Sequence, residues 1–371
     1  AGGSHTAWLD SDGTLYMWGR NNNGQVGLGY TSSLGDEEVV HPNAPTAVPL
    51  EATLTSVVAY QNTSVALDTT GALWGWGDNA YGRLGLGTLD AEDDSDDVDR
   101  SSPELIPGAT DVVAVVGGYY HTLALRSDGT VFAIGRNSDG QLGDGSSDNR
   151  DYAVDVSGLS DIVHLAAASS SSFALDASGN LYAWGANDYA QLGTGAEDDD
   201  VHSTPMLIEG LPPLVQIAAG KDHVLALDES GSVWAWGLNA SNQVGGINFG
   251  LSASPIVTPS KLEHLGQAVA VYANGNQSYY ETAEGLLFGW GQNGSAGALG
   301  VTVDGDLPEP VGPVFGVTNV ADVGIGALHS VVLRQDGQAF AWGWSFEGSL
   351  GAGDGAIDRW GYRIPIQVSA P

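Results

Sequence analysis

The chain has no cysteine, only two lysines (Lys221 and Lys261) and no apolar run near the roughly 18 residues that a membrane-spanning helix needs. Without cysteine there are no disulfides, no thiol nucleophile and no thiolate metal site, so packing and hydrogen bonds must hold the fold. Lys and Arg together number 11 against 45 Asp and Glu, a formal net charge of -34. Affinity for nucleic acid comes from cations that neutralise phosphates, so DNA and RNA are excluded as partners, and insertion into anionic membranes is excluded on the same ground. An acidic, lysine-poor surface suits high salt, where self-repulsion is screened, or an extracellular setting in which carboxylates bind cations. It also simply keeps a protein soluble. The expected location is extracellular or at the cell surface, with the cytoplasm of a halophile as the alternative. Catalytic signatures are missing too. There is no GxSxG elbow, no GxxxxGK[ST] phosphate loop and no GxGxxG opening a helix. With 45 acids, carboxylate pairs have no diagnostic value.

What the chain does have is glycine (54), tryptophan (11) and a repeat. Trp-Gly occurs at Trp18-Gly19, Trp76-Gly77, Trp184-Gly185, Trp236-Gly237, Trp290-Gly291 and Trp342-Gly343, with Ile134-Gly135 in the remaining place, at spacings of 50 to 58 residues. Five residues earlier stands a Gly in every copy, as in Asp12-Gly13 and Asp128-Gly129, between two apolar stretches. That is a hairpin signal, because Gly supplies the positive φ a tight turn between twisted strands needs. Two residues after Trp-Gly comes an Asn (Ser345 in the last copy). Then follow a GQLG-like turn such as Gly140-Gln141-Leu142-Gly143, a Pro-led segment and an apolar stretch such as Val112–Val116. Each repeat offers four short strands and no capped helical period, which is the content of one propeller blade. The expected fold is all-β, a seven-bladed β-propeller of four-stranded antiparallel blades, with residues 1–371 forming one domain.

The segment GGYYHTLALRSDGTVFAIGRNSDGQLGDG resembles the repeat of the regulator of chromosome condensation family, and the resemblance runs through all seven copies. It implies a seven-bladed propeller, in agreement with the strand count. Nucleotide exchange on a small GTPase, the family's founding activity, depends on particular loops that the repeat does not encode. Repeat 1 departs from the pattern: Ala1-Gly2-Gly3-Ser4-His5 has no apolar strand before it, while Ile364–Val368 ends the chain on a Pro-led strand. One strand of the ring is expected to be missing. An unpaired internal edge is a liability, so the natural chain is expected to extend further, as part of a longer surface protein.

His5, His121, His223 and His329 share one repeat position, where the other copies carry Thr63, Ser171 and Gln277. All seven can hydrogen-bond, and they share no metal affinity, so a structural tie is expected. In the resemblance, a photoreceptor branch places Trp two residues before that position and an inhibitor branch presents aromatic anchors in the same loop. This chain has no Trp there, which argues against light sensing. It has Tyr60, Tyr119 and Tyr120 in neighbouring repeats, and these are the expected protein-contact residues.

Acidic insertions follow the GQLG-like turn in repeats 1 (Asp36, Glu37, Glu38), 2 and 4. They should emerge on one rim. Asp93, Asp94, Asp96 and Asp97, with Asp198, Asp199 and Asp200, are the candidate ligands for Ca²⁺, the one cofactor expected. None has the spacing of a defined Ca²⁺ loop, and a solvated acidic face is the competing reading. The first functional expectation is a non-catalytic protein-interaction or scaffolding module, secreted or on the surface of a prokaryote. One alternative is a regulator of a partner protein, by guanine-nucleotide exchange or by inhibition. The other is an enzyme with its site in the channel or on the acidic rim.

Overall fold

The structure, a computed structural model, describes residues 1–32, 41–87, 98–245, 254–294, 297–353 and 361–369. These form seven antiparallel sheets in chain order, one per repeat, as expected of a seven-bladed propeller. Blade 3 shows the plan. An inner strand Val112–Gly117 pairs with His121–Arg126, which pairs with Val131–Gly135, which pairs with the outer strand Arg150–Asp155. The inner strands of successive blades surround a central cavity of about 660 Å³. Because each blade is a meander, loops alternate between two faces. The inner-to-second loops and the GQLG-like turns share an upper face, and the Asp-Gly hairpins and blade linkers share a lower one.

The hairpins form for a local reason. The Oδ1 atoms of Asp68, Asp176 and Asp228 accept backbone N–H groups two and four residues on, and Gly71 takes φ +81° to close the turn. Inner strands begin with a second local device. In blades 2, 3, 4, 5 and 7 the ladder skips the second residue, as between Val112 and Ala114, so one extra residue bulges at the lower face.

Two blades depart from four strands among the described residues. Blade 1 consists of His5–Leu9, Leu15–Gly19 and Thr46–Ala47, with no strand in the inner place, as its sequence indicates. Ala7, Trp8 and Leu9 consequently face the channel half-buried, whereas their counterparts Val65, Ala66 and Leu67 in blade 2 are buried. Blade 6 was expected to be complete, but its outer strand is reduced to two isolated bridges, Phe288–Pro313 and Gly291–Leu307. The intervening Pro308, Pro310 and Gly312 explain this, since proline has no N–H for a ladder.

Adjacent blades are joined by a repeated side-chain node. In blade 2, Trp76 Nε1 and Ser64 Oγ both donate to the carbonyl of Gln25, in the GQLG-like turn of blade 1, at 2.9 Å each. Ser64 Oγ in turn accepts from His5 Nε2 of blade 1 at 2.9 Å. The same set recurs as Trp184, Ser172, Gln141 and His121, and as Trp290, Ser278, Gln243 and His223. It also closes the ring: His329 Nε2 meets Thr6 Oγ1, and Thr6 and Trp18 both donate to Ser349 O. The serine proton is committed to the carbonyl, so the histidine must carry its proton on Nε2.

Glycine is required on both sides of this node. A Cβ at Gly27 would lie 2.8 Å from Trp76 Nε1, and one at Gly118 would lie 2.2 Å from His121 Cε1. The histidine is therefore structural, as expected, and its partner is a hydroxyl of the next blade. All four node histidines are buried, and burial pushes each ring down to about 3.

Candidate protein-docking face

On the upper face, the residues two before the repeat His position form a belt at the channel mouth. Backbone bonds link the loops of neighbouring blades: Gly3 N to Gln61 O, Tyr119 N to Ser169 O, Ser169 N to Lys221 O, Lys221 N to Gly275 O and Ala327 N to Gly2 O. The belt fixes Tyr119, Ser169 and Lys221 on a rigid rim, the usual setting for residues that bind.

At blades 2 and 3 this rim carries a cation–aromatic cluster. Tyr120 packs edge-on against Tyr81 at 5.3 Å between ring centroids and against Tyr119 at 6.4 Å. The guanidinium of Arg83 lies 4.7 Å from the Tyr120 centroid. Arg136 lies 5.7 Å from Tyr81 and 5.8 Å from Tyr120. Arg83 is wholly buried where blades 1, 3, 4 and 5 place Gln. Its Nε donates to Ala80 O and its Nη1 to Tyr119 O, and its Nη2 lies 3.3 Å from Asp78 Oδ1. Arg83 therefore bolts the blade 2 turn to the tyrosine loop of blade 3. Tyr81 is held at φ +62°, a left-handed conformation uncommon for an aromatic residue.

Beside the cluster lies a cavity of about 300 Å³ walled by Arg136, Asp139, Asp188, Tyr189, Lys221 and Asp222. Asp222 is nearly buried and accepts from Ser169 Oγ at 2.7 Å. Burial raises its carboxyl above the ordinary range, against the pull of Ser169 and of Lys221, whose Nζ is 3.9 Å away. Burial also pushes the Tyr119 phenol up to about 12, so Tyr119 stays uncharged at any physiological pH.

The three tyrosines singled out from sequence divide here. Tyr119 and Tyr120 are half-exposed in the cluster. Tyr60 is 6% exposed and serves as an inter-blade brace, its hydroxyl 2.6 Å from Thr122 Oγ1. The expectation of a contact residue at Tyr60 is corrected on that ground. Blade 2 has Thr63 in place of the node histidine and blade 3 has Ile134 in place of the tryptophan. The Tyr60 ring fills the space beside Ile134 and supplies the missing bond. Removing only the hydroxyl, Tyr60→Phe, is expected to cost about 1 kcal/mol in a denaturant melt. Tyr60→Ala is expected to cost about 3–5 kcal/mol through the cavity it leaves.

Sequence reasoning missed Tyr81, Arg83 and Arg136. Arg83 departs from the Gln that repeats 1, 3, 4 and 5 carry, which was a legible signal, whereas Tyr81 shares its place in the turn with Tyr189 of repeat 4.

Of the candidate Ca²⁺ ligands, Asp93, Asp94, Asp96 and Asp97 lie outside the described residues. Asp198 has both carboxylate oxygens engaged: Oδ2 accepts from Asn187 Nδ2 at 2.6 Å and Oδ1 meets His202 Nε2 at 2.8 Å. Asp199 is exposed beside it, as is Asp200, whose N–H caps Asp198. Among the described residues no group of three or more acidic or His side chains is arranged to hold a metal ion. In the central channel the polar lining is engaged as well. The amide of Gln216 both donates to Val271 O and accepts from Val271 N, and Tyr272 donates to Glu281.

A seven-bladed ring whose blades are tied at alternate interfaces by His–hydroxyl–carbonyl–Trp nodes, with a backbone-bonded loop belt on one face, defines a class of β-propeller. Within that class the chain belongs to the RCC1-like domain family, whose model matches residues 1–216, with RCC1 repeats matched at 214–243 and 320–349. Across 94% of its length it is 32% identical to the human E3 ubiquitin-protein ligase HERC2, of which it spans only 7%. Across 97% it is 29% identical to the ultraviolet-B receptor UVR8 of Arabidopsis thaliana, covering 79% of that protein. The solved structure of Prp20p from Saccharomyces cerevisiae superimposes with a TM-score of 0.82 over 98% of this chain and 88% of that one, at 24% identity. That likeness shows the fold. No helix among the described residues is long and apolar enough to cross a membrane.

Proposed function

We propose that this chain is a protein-docking propeller that binds its partner through the upper face of blades 2 to 5, with Tyr81, Tyr119, Tyr120 and Arg136 as the anchor. The observation that carries this reading is the cation–aromatic cluster itself. Tyr and Arg dominate binding hot spots, and here they are preorganised by a buried arginine and a backbone-bonded belt. Charge supports it as well. In a chain of net charge -34, this face presents Arg136 and Lys221, two of only 11 basic residues. Propellers of the same fold are described with protein partners: yeast RCC1 (Prp20) was solved bound to Kap60, and Prp20p is described with binding properties to Gsp1p and histones. In this reading the output is scaffolding or regulation of the bound protein rather than turnover of a substrate.

Capture from extracts of the source cells tests it. Wild type and a Glu209→Ala control on the lower face are expected to retain the same partner. Tyr120→Ala combined with Arg136→Ala is expected to weaken capture by more than about tenfold, the scale of losing a hot spot. Equal capture by all three proteins would overturn the proposal.

A further inference from the structure

The lower face carries a second feature. The extra residue that bulges from the inner strand is Val113 in blade 3, Val163 in blade 4 and Val215 in blade 5, and Val269 holds the same place in blade 6. Their exposures are 54, 58, 50 and 53%. The preceding residue (Val112, Ile162, Leu214 and Ala268) is buried, and in blades 3 to 5 the bulge sets the next side chain outward. Because the inner strands line the channel, four consecutive blades set half-exposed valines in an arc around its lower mouth. The strand ladder does not need them: blade 2 has Thr55 at this place and blade 7 has Ala321, each also at a bulge.

The surroundings of the arc are acidic. Asp111 and Asp161, two residues before Val113 and Val163, are exposed and held at φ +60° and +56°. Exposed Asp128, Glu229 and Glu284 occupy the adjoining hairpins. The cations on this side are already paired: Arg126 with Asp155 at 2.9 Å, Arg334 with Asp336 at 2.9 Å and Lys261 with Glu263 at 3.6 Å.

We infer that this valine arc is a second docking surface, for a partner segment that combines apolar side chains with Lys or Arg. Charge complementarity selects the occupant. An apolar arc rimmed by unpaired carboxylates rejects an acidic amphipathic segment and attracts a basic one, and contact with the valines requires the segment to be amphipathic rather than merely cationic. The inference is independent of the upper face, since none of its residues contributes to the tyrosine cluster.

Three short synthetic peptides serve as probes: one alternating Leu and Lys, one alternating Ser and Lys, and one alternating Leu and Glu. Each is titrated by fluorescence anisotropy in physiological salt. The Leu/Lys peptide is expected to bind at least about tenfold more tightly than either of the others. Val163→Thr with Val215→Thr keeps the β-branch and the shape already accepted at Thr55, and is expected to weaken that binding about tenfold while leaving the melting temperature unchanged. Arg136→Ala is expected to leave it unchanged. If the Ser/Lys peptide binds equally well, or the threonine variant binds as wild type, the attraction is bulk charge alone and the inference fails. Absence of Leu/Lys binding also overturns it.

Discussion

Acidification from neutral pH to about pH 4.5 is expected to unfold this protein, and to do so more steeply than an ordinary propeller of carboxylates would. The four node histidines carry neutral rings whose folded values lie near 3, against 6.5 in the unfolded chain. Their contribution to stability is complete above pH 6.5 and is lost as the pH falls from 6.5 toward 3, because only the unfolded chain takes up those protons. Each histidine adds a slope of about 1.4 kcal/mol per pH unit, so the four together add about 5 kcal/mol per unit. A typical domain has only about 5–15 kcal/mol to lose. Two effects oppose the trend. Burial-raised carboxyls such as Asp222 and Asp99 bind protons first in the folded state, and the self-repulsion of the acidic surface eases. Ordinary carboxylates titrate mostly below about pH 4.5, so between pH 6.5 and about 4.5 the histidine slope decides the outcome. Denaturant melts at stepped pH check this. Replacing His121 by Gln, the residue blade 6 carries at Gln277, is expected to reduce the slope by about one quarter. Stability that stays level between about pH 6.5 and 4.5 would show that the nodes do not hold the ring.

The second large effect is expected at the tryptophan of a node. Trp76 is fully buried, packs on Gly27 of the preceding blade and donates to Gln25 O. Trp76→Ala is expected to cost about 3–5 kcal/mol, the range for truncating a buried aromatic. Trp76→Phe removes the indole N–H and keeps most of the packing, so about 1–2 kcal/mol is expected. Blade 3 supports this ordering, since it replaces the tryptophan with Ile134 and fills the remaining space with Tyr60. The measurement is the midpoint of urea unfolding at constant slope. A Trp76→Ala loss no greater than that of Trp76→Phe would mean that the carbonyl bond, not packing, fastens the blades.

The fold was legible in sequence because every blade repeats one set of demands: a glycine for the hairpin, a tryptophan for the next interface and an Asn for the GQLG-like turn. Asn21, Asn137 and Asn239 each accept an N–H five residues ahead, from Val26, Leu142 and Val244, which is why that position hardly varies. The gap in blade 1 was legible for the same reason. The worn outer strand of blade 6 was not, because its two bridges fall in a Pro- and Gly-rich stretch that keeps the Pro-led signature without the ladder.

The candidate site was only half legible. Tyr119 and Tyr120 stood out as aromatics in a binding loop, but position alone could not separate them from Tyr60. The distinction lay one residue away. Repeats with the node histidine have Gly2, Gly118, Gly220 or Gly326 three residues before it, making room for the ring. Repeat 2 exchanges that pair for Tyr60 and Thr63, large for small, which marks Tyr60 as interior. Arg136 and Tyr81 come from different blades, and only the folded ring brings them within reach of Tyr120.

Hydrogen exchange on the complex with the captured partner tests the docking claim most directly. Residues 79–83, 117–122 and 136–139, which carry the tyrosine–arginine cluster, are expected to gain protection on binding. Protection confined to the outer strands or the lower face, with those amides exchanging as in the free protein, would contradict the claim that the cluster is the anchor.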